Sequence, residues 1–148
     1  MTALIGAKNM LVNCAMARRG ERVLIAYEPA EFGYFDAQVL NAVVKTANDL
    51  GHEVKTVNVG FSPLVSHLSP ALREQIDRAD IVVFLARLGD QLRFCDMPKG
   101  KRIVVSFALD TGLLGSGFGT TSHSAMVALK DMITDTMATG PDIRITCP

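Results

Sequence analysis

The chain has 148 residues, with 15 basic and 15 acidic side chains, so its formal net charge at pH 7 is zero. This length is enough for one domain with a substantial core. The balanced charge, without a charge run, argues against nucleic acid or an acidic membrane surface as a partner.

The apolar opening segment, residues 1–17, predicts an amphipathic helix. One face of this helix carries Leu4, Ala7, Leu11 and Cys14. A basic pair follows the apolar part instead of preceding it, which argues against a signal peptide. No apolar run approaches the ~20 residues of a membrane span. We therefore expect residues 1–19 to form an N-terminal helix and residues 20–148 to form a single α/β domain.

The next part of the chain alternates buried strands with amphipathic helices. Strands are predicted at residues 23–27, 53–59 and 80–86, and a helix at residues 36–50 that ends at Gly51. A second helix begins with Ser69 as N-cap and Pro70 at its first position. This βαβαβ order is typical of a parallel sheet with right-handed crossovers.

The last third predicts a fourth strand at residues 101–108, a helix at residues 122–137 and a fifth strand at residues 143–146. The helix is expected to turn Met126, Leu129, Ile133 and Met137 inward. The predicted fold is thus an open, mostly parallel five-stranded α/β sheet in three layers, Rossmann-like or flavodoxin-like, with helices on both faces. The strand orders 2-1-3-4-5 and 3-2-1-4-5 both remain open.

Residues 110–122, DTGLLGSGFGTTS, contain four glycines and predict a flexible or ligand-approaching loop. The backbone amides of this stretch lead into a helix N-terminus, where Thr121, Ser122 and His123 could meet an anion. Alternatively, Thr121 or Ser122 caps the helix and His123 is a surface imidazole.

Ligands of open parallel sheets bind beyond the carboxyl ends of the strands, so polar residues just after each strand are the candidates. The candidate ligand-facing residues are Glu28, Asp36, Arg87, Asp110, Ser122 and His123. Asp36 could equally be the N-cap of the following helix. The sequence lacks GxGxxG, a P-loop, HExxH and GxSxG, so no catalytic residue and no metal ligand is predicted. The chain has three cysteines, in neither a CxxC pair nor a zinc pattern, which predicts packing thiols and a cytoplasmic protein.

Four stretches resemble the N-terminal domain of the thermophilic metalloaminopeptidases, the aminopeptidase T and aminopeptidase S family, which is leucyl aminopeptidase-like. They are RRGERVLIAYEP, NAVVKTANDLGHEVKTVNV, REQIDRADIVVFLA and HSAMVALKDMITDTMATGPDIRITCP. The resemblance implies that this chain is the first domain of a two-domain enzyme and forms one wall of its substrate cleft. It also implies that the paired divalent metals belong to a C-terminal domain, so no cofactor is expected in this chain, which would be inactive alone.

Three further roles remain open at this point. The two-domain architecture is similar to that of an iron-dependent pyridine-ring dioxygenase, so the chain could be the first domain of such an enzyme. It could be a stand-alone small-molecule-binding module that uses Glu28, Asp110 and His123. It could also be an interaction protein whose N-terminal helix docks on a partner subunit, for instance in a homo-oligomer. The expected ligand is a small molecule or a peptide.

Overall fold

The structure is a computed structural model that describes residues 2–65, 67–93 and 97–140. Four parallel strands form one sheet in the order β2-β1-β3-β4. The strands are β1 (Arg22–Tyr27), β2 (Glu53–Asn58), β3 (Ile81–Leu85) and β4 (Arg102–Val105). The helices are α1 (Thr2–Asn9), α2 (Ala37–Asp49), α3 (Pro70–Arg78), α4 (Arg87–Gln91), α5 (Thr111–Leu114), α6 (Gly117–Thr120) and α7 (His123–Thr139). A π-helical turn, Met10–Cys14, continues α1, and a 3-10 turn, Ala30–Phe32, follows β1.

The α/β class and the parallel strand arrangement are confirmed. The predicted count of five strands is not confirmed, because the sheet has four strands among the described residues. The fifth predicted strand, residues 143–146, lies outside the described residues. Of the two strand orders left open by the sequence, the four described strands follow 2-1-3-4, the flavodoxin-like one.

The two central strands are buried on both faces because their side chains alternate between two cores. In β1, Val23 and Ile25 belong to a first core with α1, the π-helical turn, α2 and α5, whereas Leu24 and Ala26 belong to a second core with α3. Strand β3 divides in the same way. Continuous apolar strands therefore require helices on both faces, and these are present.

The N-terminal helix α1 is part of the first core. Ala7 and Leu11 have no exposed surface, while Leu4 is partly exposed at the rim. Helix α1 approaches α5 so closely that a Cβ on Gly6 would lie 1.7 Å from the carbonyl oxygen of Leu114. The face predicted from the sequence thus packs largely against the chain's own fold.

The glycine-rich stretch is not the loose loop that its composition predicted, since it forms the short helices α5 and α6. Asp110 caps α5 by accepting a hydrogen bond from the Leu113 amide at 2.7 Å, and Ser116 caps α6. A Cβ on Gly119 would lie 2.0 Å from the Leu114 carbonyl oxygen. Close packing, and not mobility, explains a glycine at this position.

Helix α7 contradicts the prediction that its apolar stripe faces inward. None of its 17 residues is buried. Met126, Leu129, Ile133 and Met137 have the predicted helical spacing, but each is about half exposed. The spacing predicted the helix itself correctly, but Val127 and Met132, which lie off this stripe, are exposed apolar residues as well, so the stripe does not define a single apolar side.

The ion pair between Arg22 and Asp80, at the amino ends of β1 and β3, predicts that the chain loses stability at acid pH. Arg22 donates to both carboxylate oxygens of Asp80, at 3.1 and 2.9 Å, and these bonds hold the pKa of Asp80 well below its usual range. Because the folded-state pKa is depressed, the stabilisation is present above about pH 4 and is lost as the pH falls below that value. Solvent reaches both side chains, so we expect Asp80→Asn to destabilise by no more than ~1 kcal/mol at pH 7.

Urea denaturation at pH 7, 5 and 3 checks this prediction. The stability difference between the chain and its Asp80→Asn variant should be constant from pH 7 to 5 and should shrink at pH 3. The matched control is Asp49→Asn, which removes the more exposed Lys45–Asp49 pair and should change stability little at any pH. A difference for Asp80→Asn that grows towards pH 3 contradicts the expected sign.

Candidate ligand-binding site

The carboxyl ends of β1 and β3 mark the point where the direction of chain winding reverses. After β1 the chain crosses by α2 to β2 on one side, and β3 continues towards β4 on the other. The crossover helices α2 and α3 pack on opposite faces of the sheet. In open α/β sheets the gap at this switch point is the usual place for a ligand.

Two of the predicted site residues meet at the switch point. Glu28 directly follows β1 and is 3% exposed, and its amide donates to the Leu85 carbonyl at 2.9 Å, which continues the ladder between β1 and β3. Arg87 begins α4 just after β3 and donates from Nε to Glu28 Oε2 at 3.0 Å. A second bond joins Arg87 Nη2 to Glu28 Oε1, so the pair is bidentate. The Glu28 carboxylate raises the pKa of Arg87, which stays charged.

Two aromatic rings hold the guanidinium group of Arg87. Its Cζ atom lies 3.4 Å from the ring centroid of Phe61 and 4.6 Å from that of Tyr34. Both distances are within the range of a cation–π interaction. Phe61 also makes an edge contact with Phe32. The rings and the carboxylate together fix the position of the arginine.

We call the adjoining cavity the switch cleft; it has a volume of 330 Å³. Its walls are formed by Tyr34, Phe35, Phe61, Pro63, Ala86, Arg87, Asp90, Gln91, Ser106 and Phe107. This volume is at the lower end of the range of small-molecule pockets, about 300–1,000 Å³. The lining has the composition of such pockets, mainly apolar and aromatic with a few polar groups.

The polar groups of the switch cleft retain hydrogen-bonding capacity. Arg87 Nη1 makes no hydrogen bond within the described part of the chain, although Nε and Nη2 are both bonded to Glu28. Gln91 donates from Nε2 to the carbonyl oxygens of Ser62 and Pro63, which fixes its amide orientation. Its Oε1 atom is then left buried without a partner among these residues. The cleft thus offers a charged donor, whereas the unsatisfied Oε1 atom of Gln91 lies beneath its surface, out of reach of solvent.

The remaining predicted site residues do not join this cluster. Asp36 is the N-cap of α2 and accepts from the Gln38 amide at 2.9 Å, and Asp110 is the N-cap of α5. Ser122 is the N-cap of α7, and its hydroxyl oxygen accepts a hydrogen bond from the Ala125 amide at 3.4 Å. His123 is exposed in the first turn of α7 and lines a different groove. The candidate set therefore divides into one ion pair, three capping residues and one surface histidine.

Sequence reasoning missed the aromatic wall and Gln91. Phe61 and Tyr34 lie in loops after β2 and β1, where an aromatic residue has no periodicity that marks it. A usable signal was present, because aromatic side chains immediately beyond strand ends can line a ligand cleft at the same edge as the charged residues.

Among residues 2–65, 67–93 and 97–140, no group of three or more His, Cys, Asp or Glu side chains is arranged to hold a metal ion. Within the same residues, no helix combines the length and apolar character required to cross a bilayer.

No protein-family model matches the chain, and no curated protein matches it. Two solved structures are similar to it in part. The structure of 2,5-dihydroxypyridine dioxygenase from Pseudomonas putida KT2440 is 16% identical with a TM-score of 0.43, over 71% of this chain and 33% of that one. A dehydrogenase from Rhizobium meliloti is 13% identical with a TM-score of 0.36, over 93% of this chain and 61% of that one. The match thus spans about a third of the first structure, and likenesses this remote carry no argument about activity.

Proposed function

We propose that this chain is a small-molecule-binding α/β domain whose ligand occupies the switch cleft. The observation that carries the proposal is the Arg87 guanidinium, which is fixed by Glu28 and by the rings of Phe61 and Tyr34 at the carboxyl edge of the central strands. A charged group held in this way is ready to bind before the ligand arrives, so its ordering costs little on binding.

The lining of the switch cleft suggests the chemistry of the ligand. A hydrogen-bond acceptor, such as a carboxylate, suits Arg87 Nη1. A flat apolar part suits the exposed faces of Phe61 and Phe107. The proposed ligand is therefore a compact, partly aromatic molecule that carries a carboxylate.

Dinucleotides are disfavoured for a structural reason. In the dinucleotide-binding mode the pyrophosphate lies at the N-terminus of the helix that follows the first strand. Here the carboxylate of Asp36 caps that helix and accepts from the Gln38 amide. A phosphate at this position would meet the negative charge of Asp36 instead of backbone amides that are free to donate.

Thermal unfolding in the presence of benzoate, phenylalanine, AMP and FMN tests the proposal. We expect an aromatic carboxylate to stabilise the chain, and a ligand at a hundred times its dissociation constant adds roughly 2.7 kcal/mol, or about 5–10 °C. The Phe61→Ala variant should lose this shift. The control variant Leu64→Ala, in the same loop but outside the cleft lining and 90% exposed, should keep it. A wild-type chain that none of the four compounds stabilises contradicts the proposal, and so does a shift that survives in Phe61→Ala.

The resemblance to the metal-dependent aminopeptidases, and the alternative resemblance to a pyridine-ring dioxygenase, stay predictions from the sequence. Either role is compatible with the proposed binding function, since the switch cleft could form one wall of a larger site. The exposed aromatic side chains at its rim, Phe61 and Phe107, would then contact whatever completes that site.

A further inference from the structure

The switch cleft is lined by two charged side chains of opposite sign. Within the described part of the chain, Arg87 and Asp90 are the charged residues among those that line it. Both belong to α4 and are three positions apart, so their side chains leave the same side of this helix about one turn from each other. The wall that α4 contributes therefore presents a positive group beside a negative group.

These two charges do not neutralise each other. Arg87 is bonded to Glu28, which lies buried behind the cleft wall, and Asp90 pairs with Arg93 at 3.0 Å. Neither Glu28 nor Arg93 is among the residues that line the cleft. Each charged group of the cleft thus has its ion-pair partner outside the cleft.

The carboxylate of Asp90 can accept a further cationic partner. Its contact with Arg93 uses Oδ1, and its Oδ2 atom accepts no hydrogen bond within residues 2–65, 67–93 and 97–140. The side chains of Asp90 and Arg93 are 44% and 55% exposed, and an ion pair this exposed contributes little stability. A cationic group of a ligand therefore gains a contact with Asp90 at little cost to the fold.

A ligand that carries only a carboxylate suits these charges poorly. The positive charge of Arg87 is already offset by Glu28, and a carboxylate bound to Arg87 would lie close to the like charge of Asp90. An ammonium group next to the ligand carboxylate replaces this repulsion with an attraction. At pH 7 an α-amino group is mostly protonated and supplies such a charge.

We propose that the ligand of the switch cleft is an aromatic α-amino acid, whose carboxylate binds Arg87 and whose ammonium group binds Asp90. This inference rests on the binding function proposed above and narrows its ligand class. The two charged groups of an α-amino acid are attached to one carbon atom, so they match two side chains one helical turn apart. The ring packs against Phe61 and Phe107, which are 37% and 50% exposed and line the same cleft. Asp90 is then the residue that selects an amino acid over a simple aromatic acid.

Isothermal titration calorimetry of the full chain at pH 7 tests this inference with three compounds. These are L-phenylalanine, 3-phenylpropionate, which lacks the ammonium group, and 2-phenylethylamine, which lacks the carboxylate. We expect phenylalanine to bind about tenfold tighter than either analogue, or more, because each analogue loses one charge-assisted hydrogen bond. Asp90→Asn should weaken the binding of phenylalanine by about tenfold and should not weaken that of 3-phenylpropionate.

The matched control is Arg93→Met, which breaks the same surface ion pair but keeps the Asp90 carboxylate in the cleft. This variant should bind phenylalanine at least as tightly as the wild-type chain. If Arg93→Met loses as much affinity as Asp90→Asn, the inference is wrong, because the surface ion pair and not a contact with the ligand would explain the loss. Circular dichroism verifies that both variants are folded.

The failure of this inference is distinguishable from the failure of the proposed function. Equal affinities for phenylalanine and 3-phenylpropionate overturn the inference but support the binding function, and so does a chain that benzoate stabilises and phenylalanine does not. A preference for phenylalanine that survives in Asp90→Asn also overturns the inference, because the ammonium group would then bind elsewhere. A chain that binds none of these compounds contradicts the proposed function as well.

Discussion

Replacing Arg87 with methionine is expected to destabilise the chain by about 3 kcal/mol, because the buried carboxylate of Glu28 loses its counter-ion. The Glu28 side chain has 0% exposure, whereas that of Arg87 has 29%. Removal of one partner of a buried pair typically costs about 3–5 kcal/mol, and the partial exposure of Arg87 favours the lower end of this range. Urea denaturation at pH 7 measures the loss.

Two further variants separate charge from packing. Glu28→Gln in the Arg87→Met background removes the uncompensated charge, so the double variant should recover much of the lost stability. The control Arg93→Met breaks the Arg93–Asp90 ion pair, whose side chains are 55% and 44% exposed, and should cost no more than ~1 kcal/mol. If Arg87→Met proves as mild as Arg93→Met, the buried pair is not what holds the carboxyl edge of β1 and β3 together.

Gly6→Ala is expected to destabilise the chain by roughly 2–3 kcal/mol, the upper part of the range for overpacked sites. The new methyl group would lie 1.7 Å from the Leu114 carbonyl oxygen, and a backbone atom cannot rotate out of the way as a side chain can. Helix α1 must therefore move away from α5, which also disturbs the buried side chains of Ala7 and Leu11. The gain in helix propensity, about 1 kcal/mol, offsets part of this cost.

Gly117→Ala is the matched control for this substitution. Gly117 is also helical, but an added Cβ there would meet no heavy atom within 4 Å. We expect a change within ~0.5 kcal/mol, as for an ordinary surface substitution. Thermal unfolding of both variants compares them, and similar unfolding temperatures for Gly6→Ala and Gly117→Ala would show that α1 is not locked against α5.

Features that depend only on residues close together in the sequence were predictable from it. The apolar runs of β1 and β3 required burial on both faces, and the stripe of α2 ended at Gly51, which has a positive φ of 80°. Ser69 caps α3 by accepting from the Leu72 amide, as its position before Pro70 predicts. Caps, strand runs and helical stripes are local patterns, and local sequence encodes them.

Only the tertiary structure decided which surfaces meet. It paired Glu28 with Arg87 across 59 positions, placed Phe61 on the guanidinium group, and chose the strand order of the described sheet. It also left Met126, Leu129, Ile133 and Met137 of α7 exposed, although apolar residues with similar spacing on α2 are buried. The physical reason is that hydrophobic burial is non-directional: a periodic pattern shows that a helix has an apolar side, but the surface available to cover it depends on the positions of all the other elements.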